Sequence, residues 1–285
     1  MDSQYLTIYD IAPGKEIAGR FTIVGPNRQG GFSTAYEAKD ENGDRCEIQF
    51  FPAGLFEDSG QVGDFETRMK PWTDVDHPAV IKVRELLPLE PDGLALVTDF
   101  PEGESLRARL NEDGQIAPKL VVDLGRQLLS GLEAIHAGGL HHGDIKPYSI
   151  HVSGGADGQP IQGCLVDGGV TPGLWTAKSL GDKTALIGTP YYAPVEQFGG
   201  DAPDVRSDIY NLATVLYESI AGKLPWIGKS FLEVFQAKLQ DPPPFSQRAP
   251  GVSVDRKLED AISRGCLADR RKRYNSASEF LAALS

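Results

Sequence analysis

Short apolar segments with β-forming residues dominate the first hundred residues of the chain. Between Arg20 and Phe51, segments rich in β-branched and aromatic residues are separated by Gly-Pro, Gly-Gly and Asn-Gly pairs. This pattern is typical of antiparallel strands joined by turns. Residues 81–90 and 93–100 predict two further strands around a Pro-Asp-Gly turn, and residues 63–75 are compatible with a helix. The first part of the chain is therefore expected to be mainly sheet.

The spacing of apolar residues changes after Gly103 to intervals of three and four, which favours helices. Residues 120–139 predict a helix that ends in paired glycines, where a helix C-terminus favours them. Residues 207–225 repeat the pattern, with Ser207 as the expected N-cap and Gly222 as the end of the helix.

Two further helices are predicted near the C-terminus, at residues 258–269 and 276–285. In the second, Ser276 and Glu279 have the spacing of a capping box. The chain therefore has an α+β pattern, a small β-rich part followed by a larger helical part. A ligand cleft is commonly found between two such parts.

The composition narrows the classes of partner and compartment. The 285 residues include 28 Lys and Arg against 40 Asp and Glu, a net charge of −12. Nucleic acid and anionic membrane surfaces are therefore not expected as partners. Three widely spaced cysteines fit neither a disulfide framework nor a zinc site, and no signal peptide or apolar run of about 18 residues is evident. We expect a soluble cytoplasmic protein.

Six motifs carry the candidate chemistry. In chain order they read GGFSTAYEA, HHGDIKPYSIHV, LVDGG, GTPYYAPVEQ, RSDIYNLATVLYE and RKRYNSASEFLAAL. Together they resemble a bacterial-type serine/threonine protein kinase over essentially the whole chain. The resemblance implies a single bilobal kinase-like domain over 1–285, with an antiparallel N-lobe carrying one helix at about 1–98, a hinge at about 99–104 and a mainly helical C-lobe at about 105–285.

Part of the catalytic machinery of that family is retained. The resemblance places Asp144 at the catalytic base and Lys146 at the lysine that steadies the transferred phosphate. His142 matches the packing histidine of the catalytic loop, and Asp167 matches the main metal-binding aspartate. Ser149 replaces an asparagine that holds magnesium, and its hydroxyl is a shorter and weaker ligand.

The large lobe departs from the family at two further positions and retains three structural residues. Gly143 replaces an arginine that would bind an activation-loop phosphate, and Gly168 replaces a phenylalanine that packs between the lobes. The resemblance implies a buried ion pair between Glu196 and Arg273 and a helix aspartate, Asp208, that anchors the catalytic-loop backbone. These last three are structural residues.

The small lobe departs further from the family pattern. Gly30 keeps the middle glycine of the phosphate-covering loop, but Arg28 and Ser33 replace the first and third glycines. Gln49 replaces the strand lysine that pairs with the α- and β-phosphates. Glu47 lies two residues earlier, on the same strand face, where the family has a small alanine that touches adenine. Placing adenine against a carboxylate would require desolvating the charge.

The helix glutamate that pairs with the strand lysine aligns with Arg68. The resemblance places Thr98 at the gatekeeper position, and Asp99 follows it as the first residue of the hinge. In the family, the third residue after the gatekeeper donates its backbone N–H to adenine. The resemblance places Pro101 there, and proline has no backbone N–H. Glu104 still suits a ribose hydroxyl.

These departures together indicate a pseudokinase with impaired binding of ATP and magnesium. We expect such a domain to act by binding another protein, with no cofactor unless residual kinase activity exists. Two alternatives remain open. One is a weakly active or unorthodox ATP-dependent serine/threonine kinase, and the other is a sensor of a small anion bound by Arg28 and Arg68.

Overall fold

A computed structural model describes residues 11–29, 33–89, 93–156, 159–177 and 191–284. The chain divides into two compact units. The first comprises residues 1–76, 81–101 and 173–179, and the second comprises the remainder. One of the points at which the chain passes from one unit to the other lies between Pro101 and Glu102.

The first unit contains an antiparallel sheet with the strand order β1-β2-β3-β4-β6-β5. The strands are β1 (Glu16–Ile17), β2 (Phe21–Gln29), β3 (Thr34–Lys39), β4 (Arg45–Phe51), β5 (Val83–Leu89) and β6 (Gly93–Asp99). One apolar cluster includes Phe21, Ile23, Ile48 and Val97, which are almost completely buried. Strands β2 to β6 lie within the segments that the sequence pattern indicated, so these predictions are confirmed, whereas β1 was not predicted.

The helix of the first unit is displaced from its prediction. Helix α1 spans Ser59–Met69, and one turn of 3₁₀ helix follows at Lys70–Asp74. The predicted start at residue 63 was late because Asp58 caps the helix, its side chain accepting a hydrogen bond from the Gln61 backbone N–H. Phe65 and Met69 form the buried side of α1.

The second unit is mainly helical. Its helices are α2 (Leu106–Asp113), α3 (Pro118–Ala137), α5 (Val195–Phe198), α6 (Val205–Ala221), α7 (Phe231–Lys238), α8 (Phe245–Arg248), α9 (Arg256–Gly265) and α10 (Ala277–Ala283), and α4 (Val170–Ala177) begins in it. A small antiparallel sheet orders β7 (Glu104–Ser105), β8 (Ile150–Gly154) and β9 (Ile161–Leu165) as β7-β8-β9. This sheet and the helices α2, α4, α5, α7 and α8 were not predicted, because their apolar patterns are too short to show a period.

Helix α6 forms the centre of the second unit and is buried along nearly its whole length. Its N-cap is Asp204, whose carboxylate accepts hydrogen bonds from the backbone N–H groups of Arg206 and Ser207. The prediction of Ser207 as the cap was therefore wrong, since Ser207 lies at the third helical position and its hydroxyl accepts from the Asp204 N–H. Gly222 ends the helix with a left-handed φ of 65°, as predicted.

Helix α10 begins at the predicted cap but without the reciprocal bond of a capping box. Ser276 accepts a hydrogen bond from the Glu279 backbone N–H. The Glu279 carboxylate accepts instead from the N–H of Asn275, one residue before the cap.

Candidate nucleotide-binding and catalytic residues

Glu47 lies in the middle of β4 and is only 1% exposed. It is paired in register with Glu37 on β3 and Thr98 on β6. Its carboxylate forms an ion pair with the guanidinium of Arg28 and accepts a hydrogen bond from the side-chain amide of Asn27 at 2.6 Å. A buried carboxylate is tolerated when its charge is paired in this way.

A bulge in β2 explains how two adjacent residues reach the same carboxylate. The register between β2 and β3 shifts between Pro26 and Arg28, so that Asn27 has no partner opposite it. A bulge of this kind re-aims side chains that would otherwise alternate across the strand. Asn27 was missed from the sequence. Pro26 inside an apolar strand was the available signal, because proline in a sheet is confined to edges and bulges.

Gln49 occupies the position of the strand lysine and is 6% exposed. Its side-chain amide donates a hydrogen bond to the hydroxyl of Ser33 at 2.8 Å. Gln49 and Ser33, two of the positions that depart from the family pattern, are therefore in contact inside the first unit. Gly30 lies outside the described residues.

Two residues of the segment assigned to the hinge, Asp99 and Pro101, have a reduced capacity for hydrogen bonds to a ligand. Pro101 has no N–H, and the carbonyl oxygen of Asp99 accepts a hydrogen bond from the Thr98 hydroxyl at 2.9 Å. The Asp99 carboxylate forms an ion pair with Arg84 at 2.6 Å. Arg68 is exposed on α1, two residues from the half-buried Glu66.

In the second unit, the catalytic loop is anchored from α6. Asp208 is fully buried, and its carboxylate accepts hydrogen bonds from the backbone N–H groups of His142 at 2.7 Å and Gly143 at 2.8 Å. His136 lies 3.0 Å from the same carboxylate. Burial alone would raise the pKa of Asp208, but these hydrogen bonds and the nearby imidazoles lower it overall. Burial lowers the pKa of His142, whose Nε2 lies 2.9 Å from the Val166 carbonyl oxygen.

Asp144 and Lys146 form an ion pair, with Nζ 2.6 Å from Oδ2 of Asp144. The same oxygen accepts a hydrogen bond from the hydroxyl of Thr171 in the first turn of α4, at 3.0 Å. The sequence analysis had not assigned Thr171 to Asp144, because contacts between distant segments leave no local pattern.

Gly143 has a positive φ of 80°, and a Cβ at this position would lie 2.7 Å from Cγ of Pro172. Both the conformation and the space therefore favour glycine where the kinase family has arginine.

The two candidate metal ligands differ in their geometry. Asp167 adopts a left-handed backbone conformation with a φ of 62°, which is unusual for a residue other than glycine and is characteristic of functional sites. Ser149 is 1% exposed, and its hydroxyl bonds to its own loop, accepting from the Lys146 N–H and lying within 3.1 Å of the carbonyl oxygens of Asp144 and Lys146. Within the described ranges, no group of three or more His, Cys, Asp or Glu side chains is placed to hold a metal ion.

Other polar residues of the second unit are also paired. Glu104 forms an ion pair with Arg109 at 2.7 Å. Arg273 is completely buried and forms a bidentate pair with Glu196, at 2.6 and 2.8 Å. The structure thus brings together the two residues that the kinase resemblance placed in a buried ion pair.

A family model described as the protein kinase domain matches residues 27–283. The chain belongs to the protein kinase domain family. Its curated relatives include bacterial serine/threonine protein kinases, so the resemblance stated from the motifs is confirmed. The chain is 32% identical over 273 residues to serine/threonine-protein kinase pkn2 of Myxococcus xanthus, covering 94% of this chain and 32% of that protein.

A second relative, the serine/threonine-protein kinase PknB of Mycobacterium leprae, is 30% identical over 260 residues, covering 90% of this chain and 41% of the relative. The chain therefore spans about a third to two fifths of the length of these two proteins.

Solved structures show the same fold. The kinase domain of Mycobacterium tuberculosis PknI aligns with a TM-score of 0.73 at 19% identity, covering 96% of this chain and 98% of that one. The crystal structure of Rad53 1–466 in complex with AMP-PNP aligns with a TM-score of 0.75 at 18% identity, covering 92% and 64%. The α+β kinase fold is thereby confirmed. In the part of the chain that is described, no helix is long and apolar enough to cross a membrane.

Proposed function

We propose that this kinase-fold domain is a pseudokinase, which acts by binding another protein and transfers no phosphate. The observation that carries the proposal is the buried carboxylate of Glu47, which is held by Arg28 and Asn27 at the strand position where the kinase family places alanine against adenine. A purine at this position would have to displace these groups or lie against a desolvated charge. Both are costly.

The phosphate side of the site supports the same proposal. Gln49 is neutral and bonds to Ser33, so it supplies no cation to the α- and β-phosphates. Phosphoryl transfer depends mainly on positioning the phosphates and neutralising their charge. A nucleotide would therefore lack one of the charges on which the reaction depends.

The residues do not fit the magnesium sites that kinases of this family use. Magnesium requires near-octahedral oxygen ligands, of which carboxylates and phosphates supply most of the charge. Asp167 offers one carboxylate, but the Ser149 hydroxyl already bonds to the backbone of its own loop. We therefore assign no cofactor to this domain.

The proposal includes an intracellular protein partner. The three cysteines are free, as is usual in the reducing cytoplasm. The net charge of −12 disfavours nucleic acid and anionic membranes as partners. Interactions that support the large lobe, such as the Glu196–Arg273 pair, keep a folded surface available whether or not catalysis occurs.

Calorimetric titration with ATP and magnesium tests the proposal directly. We expect no saturable heat with the unaltered chain. Glu47→Ala combined with Arg28→Gly should allow weak binding, because it removes the carboxylate together with the guanidinium that would otherwise be left unpaired. Glu37→Ala is the matched control, since Glu37 lies opposite Glu47 on β3 but forms an exposed pair with Arg45. Saturable binding of ATP to the unaltered chain at micromolar concentration would contradict the proposal.

Two observations favour a weakly active kinase as the second candidate. Asp144 and Lys146 remain paired at 2.6 Å, and Asp167 keeps its left-handed conformation. These three residues could still orient a hydroxyl and one metal ion. The anion-sensor alternative has less support, because the charge of Arg28 is already compensated by Glu47.

A further inference from the structure

The segment that leads into α4 lies along the catalytic loop and contacts three successive residues of it, from His142 to Asp144. The backbone N–H of Gly169 donates a hydrogen bond to the carbonyl oxygen of His142 at 3.0 Å. The hydroxyl of Thr171 donates a hydrogen bond to Oδ2 of Asp144, also at 3.0 Å. Both contacts lie within the second unit, and together they fix the first turn of α4 on the catalytic loop.

Gly143, the middle residue of the three, lies against the ring of Pro172. Its φ is 80°, and a Cβ at this position would lie 2.7 Å from Cγ and 3.1 Å from Cδ of Pro172. A proline ring cannot rotate away from such a clash as a flexible side chain can. A side chain at position 143 and the observed position of Pro172 therefore exclude each other. The arginine that the kinase family has here would displace the first turn of α4.

The backbone just before α4 has an unusual conformation that brings the helix to this place. Asp167 and Gly169 both have a left-handed φ, of 62° and 73°. The N–H of Val170 donates a hydrogen bond to the carbonyl oxygen of Asp167 at 3.3 Å, and α4 begins at Val170. A residue other than glycine keeps a left-handed conformation only where the surrounding structure imposes it. The conformation of Asp167 is therefore coupled to the contacts that hold the start of α4.

Thr171 lies at the distance that a substrate hydroxyl would have from a catalytic base. A general base acts on a group about 2.6 to 3.2 Å away, and the Thr171 hydroxyl meets this condition on Asp144. The same Oδ2 atom is 2.6 Å from Nζ of Lys146, and the Asp144 side chain is only 17% exposed. A hydroxyl group from another molecule would have to displace Thr171 to reach this oxygen.

We propose that residues 169–172 form an autoinhibitory latch, which holds the Thr171 hydroxyl on Asp144 as an internal substitute for a substrate hydroxyl. The complementary fit of Gly143 and Pro172 allows the latch to close. In the closed state Asp144 is unavailable to a hydroxyl group of a bound peptide, and opening of the latch exposes it. The latch acts on the catalytic loop and not on the nucleotide position, so it goes beyond the pseudokinase proposal and does not depend on it.

Hydrogen–deuterium exchange tests whether the latch opens as a separate unit. The peptide covering residues 167–174 is followed, with amides in the centre of α6 as the reporter of global unfolding. Thr171→Val removes the hydroxyl and keeps a branched side chain. We expect it to raise the opening constant of this peptide about tenfold, the effect of losing one hydrogen bond to a charged group. The amides of His142 and Gly143, which Asp208 holds, should keep their protection.

Carbodiimide labelling measures the exposure of Asp144 itself. Activated Asp144 is detected by mass spectrometry either as an adduct with added glycinamide or as a cross-link to the adjacent Lys146. We expect activation to be several-fold faster in Thr171→Val than in the unaltered chain. Asp123, an exposed carboxylate on α3, should be labelled equally in both proteins.

Further variants assign the effect to the proposed contacts. Gly143→Ala places a Cβ against Pro172 and should open the same peptide more than Thr171→Val does, because it also strains the left-handed backbone. Thr176→Val is the matched control, an exposed threonine on the same helix, and should change the opening far less. In an Asp144→Ala background, Thr171→Val should add no further opening. If Gly143→Ala does not fold, the Thr171 variants still decide the matter.

Unchanged exchange or unchanged labelling of Asp144 in Thr171→Val would overturn the proposal. So would opening of residues 167–174 only together with α6, or an effect of Thr171→Val that persists in full without the Asp144 carboxylate. No nucleotide enters these measurements, so failure here is distinct from failure of the pseudokinase proposal.

Discussion

The carboxylate of Glu47 places a buried negative charge on the strand face on which kinases of this fold bind adenine. Its pairing with Arg28 and Asn27 turns two departures from the family pattern into one interaction. Arg28 and Glu47 were each identified from the sequence as departures, but their pairing was not predicted. Pairing across the bulge at Pro26 depends on the register of β2, which alternation along a single strand does not specify.

Replacing Arg28 tests how much this pairing stabilises the fold. Arg28→Ala leaves the nearly buried Glu47 carboxylate with Asn27 alone, and we expect the free energy of unfolding to fall by about 3 kcal/mol. Arg20→Ala is the control, because Arg20 pairs with Glu85 at an exposed site, and its loss should cost less than about 1 kcal/mol. Denaturant unfolding measures both values. Equal losses in the two variants would show that Glu47 does not depend on Arg28.

Restoring the lysine of the phosphate site should not restore catalysis. Gln49→Lys supplies a cation at the position of the family's strand lysine, but under the pseudokinase proposal Glu47 still opposes adenine, and Pro101 still lacks an N–H. We expect no ATP-dependent phosphorylation of the variant or of a generic protein substrate, measured with labelled ATP. Substantial activity from this one change would contradict the assigned role of Glu47.

At the scale of elements, the helical spacing of apolar residues was sufficient to predict α3 and α6, and short β-forming segments between turn residues predicted β2 to β6. The ends of helices were less well determined. Helix α1 begins four residues before its predicted start, and α6 is capped by Asp204 instead of Ser207. Both differences have one cause. Aspartate, serine and nearby polar residues are all acceptable caps, and only the backbone conformation selects among them.

The cap of α6 carries a measurable consequence. Asp204→Ala removes the acceptor of two backbone N–H groups at the start of a buried helix, so we expect a loss of about 1 to 2 kcal/mol in the free energy of unfolding. Asp204→Asn retains a capping oxygen and should cost clearly less. Thermal or denaturant unfolding of the two variants gives the comparison, and equal losses would argue against capping as the origin.

At the scale of the whole molecule, the six motifs in their chain order identified the kinase fold better than any single helix or strand did. The kinase family model covers residues 27–283 because the motifs include structural residues, such as the buried Glu196–Arg273 pair and the Asp208 anchor of the catalytic loop. Contacts that combine distant segments could not be predicted in the same way. Thr171 on Asp144 and Arg109 on Glu104 both depend on tertiary packing.

Under the pseudokinase proposal, this division explains how the kinase fold persists without catalysis. The residues that hold the catalytic loop and the large helical unit are intact, whereas the departures concentrate at positions that would contact adenine, phosphates and magnesium. Folding depends on the residues that hold the catalytic loop and the helical unit. Phosphoryl transfer depends on these residues and also on the positions that would contact adenine, phosphates and magnesium. A kinase domain can therefore lose catalysis and remain a stable binding module.

Phosphate incorporation from labelled ATP tests the central claim most directly. The unaltered chain is incubated with ATP, magnesium or manganese, and a generic protein substrate, beside the Asp144→Asn variant. We predict that both proteins show the same background, with no label transferred to the chain or to the substrate. Incorporation by the unaltered chain that Asp144→Asn abolishes would show that the domain is an active kinase and would contradict the account.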